Sequence, residues 1–395
     1  MSNQKLGILA IVAAVLVLWA AVQPRLSKQG SVRLSGPADL IQGLDPAEID
    51  SIVVGHGDDA VRIERQGSGF VVTNESNYPA DPKQINDLIT KSLDVKTTEA
   101  YTDNAENHEE LEVTEEKARN VVKFFKGDGS LLTGVIIGKS QEAGQSTFVR
   151  RASDDTVWLA ESVPWFRSRA LDYVDQEIVS VKREDVNAVT VTTSEGTYTL
   201  RPKGDGDGVV LADLPADKKL KESDAKSVFG ALTSLRFDDV NAPAEIEGVS
   251  FDHQYVCRLD DSTEYRLHLG KKDDKTYLTC EAEYTDKTPV TKKLNEVESE
   301  EQLKEKEAKL LADEKAQKFT LRHKRWVYEV PDWKAKYLTK NRSELLEDVE
   351  EETEEKPAEE TPPVGPQLAP SAEPTTAEPN AVSPAAEPNA VDPNA

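Results

Sequence analysis

One tripeptide constrains this chain more than any other feature, because it returns in an ordered context. Pro79-Ala80-Asp81 recurs as Pro215-Ala216-Asp217, and the sequence around it recurs too. "IDSIVV" (Ile49–Val54) is matched by "VNAVTV" (Val186–Val191), "VRI" (Val61–Ile63) by "YTL" (Tyr198–Leu200), and "GFVV" (Gly69–Val72) by "GVVL" (Gly208–Leu211). Beyond the tripeptide, "GVIIGK" (Gly134–Lys139) parallels "RLHLGK" (Arg266–Lys271), and "TFVRR" (Thr147–Arg151) parallels "TYLTC" (Thr276–Cys280). "TVWLAESVPW" (Thr156–Trp165) parallels "WVYEVPDW" (Trp326–Trp333). Chance repeats a tripeptide; it does not keep six further segments in one order. The chain is therefore read as two tandem copies of one unit of about 140 residues, each large enough to bury a core.

Within each copy the early segments alternate apolar and polar residues and are β-branched, the pattern of short strands joined by turns. Asp81 then offers a carboxylate to the first free amides of a helix, and Pro82 suits its first position. Ile85, Leu88, Ile89, Ser92 and Val95 follow at helical spacing; Ala225, Val228, Phe229, Leu232 and Leu235 do the same in the second copy. A second meander comes next, closed by a charged helix near Phe166–Ile178 and again near Lys334–Leu346. The fold class expected is α+β: two tandem repeats of a β-meander/helix/β-meander/helix unit, one transmembrane helix before them and a disordered tail after them. The domains expected are an anchor at 1–23, a linker at 24–43, the first repeat at 44–180, the second at 181–346 and the tail at 347–395.

The copies differ in one place. Ser153-Asp154-Asp155 makes a tight turn in the first copy; in the second, residues 284–318 replace it. That run is rich in Glu and Lys and favours a helix. Its few apolar residues are Leu294, Val297, Leu303, Leu310 and Leu311. It reads either as a solvated helical arm or as a docking arm for a partner helix.

The formal net charge is -25, and the segment from Glu347 to the end supplies almost half of it, with 13 acidic residues against the single basic Lys356. Phosphate binding needs a basic surface, so nucleic acid is excluded as a partner. The tail also holds ten of the chain's 21 prolines and few large apolar residues, so burial there cannot offset the entropy of ordering.

Leu6–Val22, "LGILAIVAAVLVLWAAV", has no charged residue and as a helix would be roughly 25 Å long, near the lower limit for spanning a bilayer. A cleaved secretory signal is the competing reading, but "WAAVQP" has no small-x-small site. An uncleaved membrane anchor through residues 6–22 is expected. Lys5 precedes it; Arg25, Lys28 and Arg33 follow it, and that local count alone would keep the C-terminal flank inside.

No catalytic, cofactor-binding or metal-binding residue is identified. "GDGDG" (204–208) has Lys203 and Leu214 where a calcium loop needs acids, so it reads as a hairpin turn. "KGDGS" (Lys126–Ser130) is likewise a turn. His56, His108, His253, His268 and His323 form no HExxH and no close pair, and no GxSxG is present. Trp158, Trp165, Trp326 and Trp333 recur at equivalent places, which favours core packing. Cys257 and Cys280 fall on the first and third strands of one meander, roughly 9–10 Å apart, beyond the ~7 Å that a disulfide bridges. Free, buried thiols are expected.

The pattern "IDSIVV…VRIER…GFVVT…YPAD…INDLI", repeated as "VNAVTV…YTL…GVVL…LPAD", resembles a bacterial family known as domain of unknown function 4340, over roughly Leu44 to Leu346. Members look like products of genes beside gliding-motility-type ABC transporters and their auxiliary membrane subunits. The resemblance implies a non-enzymatic accessory or scaffold protein of an ABC-type transport assembly, with the ABC permease and auxiliary membrane subunits as partners. It also implies a single-pass protein of the bacterial inner membrane with its C-terminal domains in the periplasm, against the local charge count. The family has no established catalytic residues to carry over, and the charged insertion and the tail depart from its pattern. The other function class open to the sequence is an envelope module that binds a polymer or ligand in the cleft between the repeats.

Overall fold

The structure is a computed structural model that describes residues 33–349, apart from 143, 205 and 292–297. The expected anchor at 6–22 and most of the expected tail lie outside the described residues. Among the described residues no helix is long and apolar enough to cross a membrane. That finding stands against the expected single-pass inner-membrane placement.

Two large antiparallel sheets dominate. The first has ten strands in the order Arg33–Asp39, Lys96–Thr102, Val157–Ala160, Thr147–Arg151, Leu131–Ser140, Asn120–Phe125, Ser51–Val54, Val61–Gln66, Gly69–Val72 and Tyr78–Pro79. The second has eight: Val209–Leu211, Gly196–Pro202, Val186–Thr193, His253–Leu259, Thr263–Lys272, Lys275–Tyr284, Val327–Val330 and Asp239–Asn241. Among the described residues four α-helices accompany them: α1 (Pro82–Leu93), α2 (Glu222–Phe229), α3 (Glu300–His323) and α4 (Asp332–Leu338).

Register shows why the sheets form. Phe124, Ile52, Ile63 and Val72 stand directly opposite one another on four adjacent strands, all fully buried. In the second sheet the row runs Leu211, Leu200, Val189, Cys257, Tyr265 and Ala282. A slip of one residue would turn each row to the opposite face, so burial fixes the pairing. One main core runs through both sheets, and a smaller cluster that includes Leu111, Val113, Ile136 and Phe148 covers the other face of the first.

The expected α+β class of two meander/helix/meander/helix repeats does not describe this fold, which is β-rich with 38% of its residues in strands. Three departures account for the difference. The second meander of each half is not a separate layer: Asn120–Phe125 pairs with Ser51–Val54, and His253–Leu259 pairs with Val186–Thr193, so the meanders fuse edge to edge. The expected helix near Phe166–Ile178 is a short 3-10 turn at Ala170–Tyr173 followed by the strand Glu177–Val179, whose Ile178 and Val179 prefer extended backbone. The repeated tripeptide also does two different things. Asp81 caps α1 by accepting a hydrogen bond from Lys83 N, whereas Pro215-Ala216-Asp217 is a turn leading into the strand Lys218–Leu220, and α2 starts only at Glu222.

The margins also differ from expectation. Arg33–Asp39, within the expected linker, is an edge strand, and Leu40 and Ile41 after it are buried. Glu347 and Asp348, at the start of the expected tail, pair with Lys219 and Lys218 in a two-stranded sheet.

Gly138 and Gly270 hold corresponding places in "GVIIGK" and "RLHLGK". A Cβ on Gly138 would lie 2.4 Å from the Leu111 carbonyl oxygen, and one on Gly270 would lie 2.3 Å from that of Ser250. Each glycine lets a crossing segment lie directly on the sheet.

Candidate functional site

The last strand of the first sheet, Tyr78–Pro79, meets the edge of the second sheet, and most of the unusual chemistry gathers there. Tyr78 is 1% exposed. Its ring meets Phe237 at 5.5 Å, Trp326 at 5.1 Å and Tyr328 at 6.2 Å between centroids, all edge to face. Such geometry sets a positive ring edge on a negative ring face. The Tyr78 and Tyr328 hydroxyls are 3.5 Å apart, and His323 Nδ1 lies 2.7 Å from the Tyr328 hydroxyl. Burial, then the charge of Arg322, pushes the His323 imidazole down to about 4. It is neutral at physiological pH and serves the cluster as a hydrogen-bonding aromatic. Arg322 beside it donates to Asp175 at 3.0 Å.

The rim of this junction holds an acid pair. Glu75 ends the 3-10 turn Thr73–Glu75 and faces Asp239 on the second sheet. Desolvation raises the Glu75 carboxyl to about 7, and the charge of Asp239 and a hydrogen bond with it add to the effect. Keeping Glu75 protonated relieves the repulsion between the two carboxyl groups. Ser76 and Asn77 follow with φ of 51° and 63°, two successive non-glycine residues in the left-handed region. Contacts hold the strained turn: Asn74 Oδ1 accepts from Arg62 N at 2.7 Å, and the Ser76 hydroxyl donates to Glu245.

Beside the junction lies an open groove of about 600 Å³ lined by Asp238, Lys275, Glu329, Asp332, Trp333 and Lys336. Lys275 donates to Glu329 at 2.7 Å. Burial, then the charge of Asp332, raises the Asp238 carboxyl. Trp333 is 59% exposed, and the Lys334 ammonium stands 5.1 Å from its ring centroid. The expectation that the four recurring tryptophans pack in the core fails for two of them, since Trp165 is 69% exposed. Trp165 follows Val163-Pro164 in the segment beyond the strand Val157–Ala160, and Trp333 stands in the first turn of α4, just past Pro331, which ends the strand Val327–Val330.

The remaining motifs fall as follows. Cys257 and Cys280 are free and buried on strands separated by one other, as the spacing predicts. Burial pushes the Cys257 thiol up to about 12 and raises that of Cys280, so neither is a thiolate nucleophile near neutral pH. His108 is buried, with Nε2 2.8 Å from the Asp155 carbonyl oxygen; His268 stands opposite Gln254 and Thr279 on a partly exposed face. Among the described residues no group of three or more His, Cys, Asp or Glu could hold a metal ion. Sequence reasoning missed the Glu75–Asp239 pair and the role of His323. Nothing in the separation of Glu75 from Asp239 marks them as neighbours; only the meeting of two sheet edges joins them.

The geometry defines a β-sheet protein whose polar groups knit one half to the other and present grooves and a long helix to solvent. The model of the family described as domain of unknown function DUF4340 matches residues 71–254, and the chain carries that family's domain there. No curated protein and no solved structure was found to match the chain.

Proposed function

We propose that the protein is a non-enzymatic accessory or scaffold subunit of an ABC-type transport assembly, with the permease and auxiliary membrane subunits as its partners. The link to ABC-type transport rests on the family resemblance. The observation that carries a binding role is α3: a helix of 24 residues whose first three turns stand clear of the sheet, with large apolar side chains turned to solvent. The ionisable groups favour the same reading. Cys257 and Cys280 are held as thiols, His323 is held neutral inside the aromatic cluster, and Lys275 is paired with Glu329.

The test is affinity purification of the tagged full-length protein after brief crosslinking in cells and mild-detergent extraction, with mass spectrometry of what is retained. Enrichment of ABC permease and ATPase subunits over an unrelated tagged control is the expected result. Recovery of the protein without them would reject the reading.

A second reading, a module for an envelope polymer or ligand, is favoured by the exposed Trp333 in its groove. The junction of the two sheets, where the ligand cleft was expected, is filled by Tyr78, Phe237 and Tyr328, so the Trp333 groove is the place for it.

A further inference from the structure

Trp165 and Trp333 are both turned to solvent, but only one of them has room for a ligand beside it. Trp165 lines a crevice of about 10 Å³, whereas the Trp333 groove measures about 600 Å³, inside the range of roughly 300–1,000 Å³ common to ligand sites. Three separate pieces of chain build that groove. Asp238 stands just before the strand Asp239–Asn241, Asp274 lies in the turn between Thr263–Lys272 and Lys275–Tyr284, and Asp332, Trp333 and Lys336 belong to α4. Asp274 and its neighbour Asp273 take φ of 62° and 50°, the left-handed backbone that a two-residue hairpin turn needs. Among the described residues the side chains of Asp238, Asp274, Asp332 and Lys336 have no hydrogen-bond or ion-pair partner, so acceptors and a donor stand free around one aromatic ring. Trp333 is the large apolar side chain exposed there; Val330 in the wall behind it is 2% exposed.

One flat ring inside a rim of free polar groups selects its ligand by shape and bonding. A partner helix or strand docks through several apolar anchors in a row, and the groove offers one. A stacked nucleobase would bring its phosphate up to the carboxylates. A cation on the ring would meet the Lys334 ammonium, which already stands 5.1 Å from the ring centroid and has no carboxylate partner among the described residues. A pyranose fits what remains. Its face of C–H bonds lies flat on an indole, and its hydroxyl groups donate to carboxylates and accept from an ammonium group. We propose that the Trp333 groove binds a neutral oligosaccharide, one sugar ring stacked on Trp333 and its hydroxyls bonded to Asp238, Asp274, Asp332 and Lys336. This rests on the second functional reading, a module for an envelope polymer, and names the ligand class and the groups that hold it.

The experiment titrates the full-length protein with sugar hexamers in an isothermal calorimeter. Cellohexaose, chitohexaose and maltohexaose are the neutral probes; galacturonate and glucosamine hexamers are the anionic and cationic ones. At least one neutral hexamer should bind roughly tenfold more tightly than either charged one. Trp333→Ala should weaken that binding roughly tenfold, and Trp333→Tyr, which keeps a flat ring, should retain most of it. Asp274→Asn, which suits the same turn, should weaken it roughly threefold. Trp165→Ala should leave it unchanged, because the crevice there has no room for a sugar. Circular dichroism and the urea midpoint of each variant should match the wild type. No binding of any neutral hexamer, no response to Trp333→Ala, or an equal loss with Trp165→Ala would overturn the proposal. Tighter binding of the glucosamine hexamer would overturn it too, by making a cation the occupant. Retention of the protein on purified cell-wall sacculi, equal for Trp333→Ala, would reject this site and spare the polymer reading; hexamer binding without retention on sacculi would do the reverse.

Discussion

Replacing Glu75 with glutamine tests the junction between the two sheets through its pH dependence. Glu75 is raised from 4.5 to about 7 by burial and by Asp239. A carboxyl whose folded pKa exceeds its unfolded one contributes stability that is fully present below the unfolded value. That contribution is lost as the pH climbs through the folded value. At roughly 1.36 kcal/mol per pH unit, a rise from 4.5 to about 7 sets a ceiling of about 3.4 kcal/mol, and solvent screening at a partly exposed site reduces this to about 2 kcal/mol. The wild-type curve alone does not show it, because His323 works in the opposite direction. Its imidazole is lowered from 6.5 to about 4, so the folded state loses stability as the pH falls through that range. The two effects overlap between about 4.5 and 6.5. The difference between wild type and Glu75→Gln isolates one of them. Glutamine keeps the shape of the protonated acid and can donate to Asp239, while Lys275, Glu329 and Glu245 nearby are common to both proteins. Urea unfolding of both, from pH 4.5 to 8.5, should show the variant gaining about 2 kcal/mol on the wild type across the range, with most of the gain between pH 5 and 7.5. A constant difference, or a gain towards acid pH, would show that Glu75 is not held protonated in the folded state.

His323→Gln should flatten the acid limb below about pH 6.5 and, by opening the aromatic cluster, cost about 2–4 kcal/mol at neutral pH, read by the same urea titrations. Gly138→Ala and Gly270→Ala should each destabilise by about 2–4 kcal/mol, because the added methyl group meets a backbone carbonyl that cannot turn aside; thermal melts check both. In the native protein Cys257 and Cys280 should not react with a water-soluble thiol reagent at pH 8 and should react fully in urea; prompt native labelling would contradict their burial.

Local signals in the sequence were reliable and long-range ones were not. The alternation in "IDSIVV" and "VRIER" gave strands at Ser51–Val54 and Val61–Gln66, and Asp81-Pro82 gave the start of α1, because each rests on neighbours in the chain. The spacing of Cys257 and Cys280 gave two free thiols, since sequential antiparallel strands fix their separation. The fusion of the two meanders in each half was not legible: a strand's pattern records which face is buried but not which edge is paired. The run Phe166–Ile178 misled because its scattered apolar residues, among them Phe166, Leu171, Val174 and Ile178, fit a helical face as well as they fit a turn and a strand. The tryptophans misled because recurrence was equated with burial, while Trp165 lies in a segment beyond its strand and Trp333 in the first turn of a helix, both turned to solvent. The outward leucines of α3 were visible as residues, but their direction became clear only when Ala312 and Ala316 were found against the sheet.

The most direct test of the account is a photo-crosslinking amino acid placed at Leu310 of the full-length protein in its own cells, with the same group at exposed Asp58 as control. The account predicts that Leu310 crosslinks to a subunit of an ABC-type transporter and Asp58 does not. Crosslinks from Leu310 only to other copies of the chain, or to no transporter subunit at all, would contradict it.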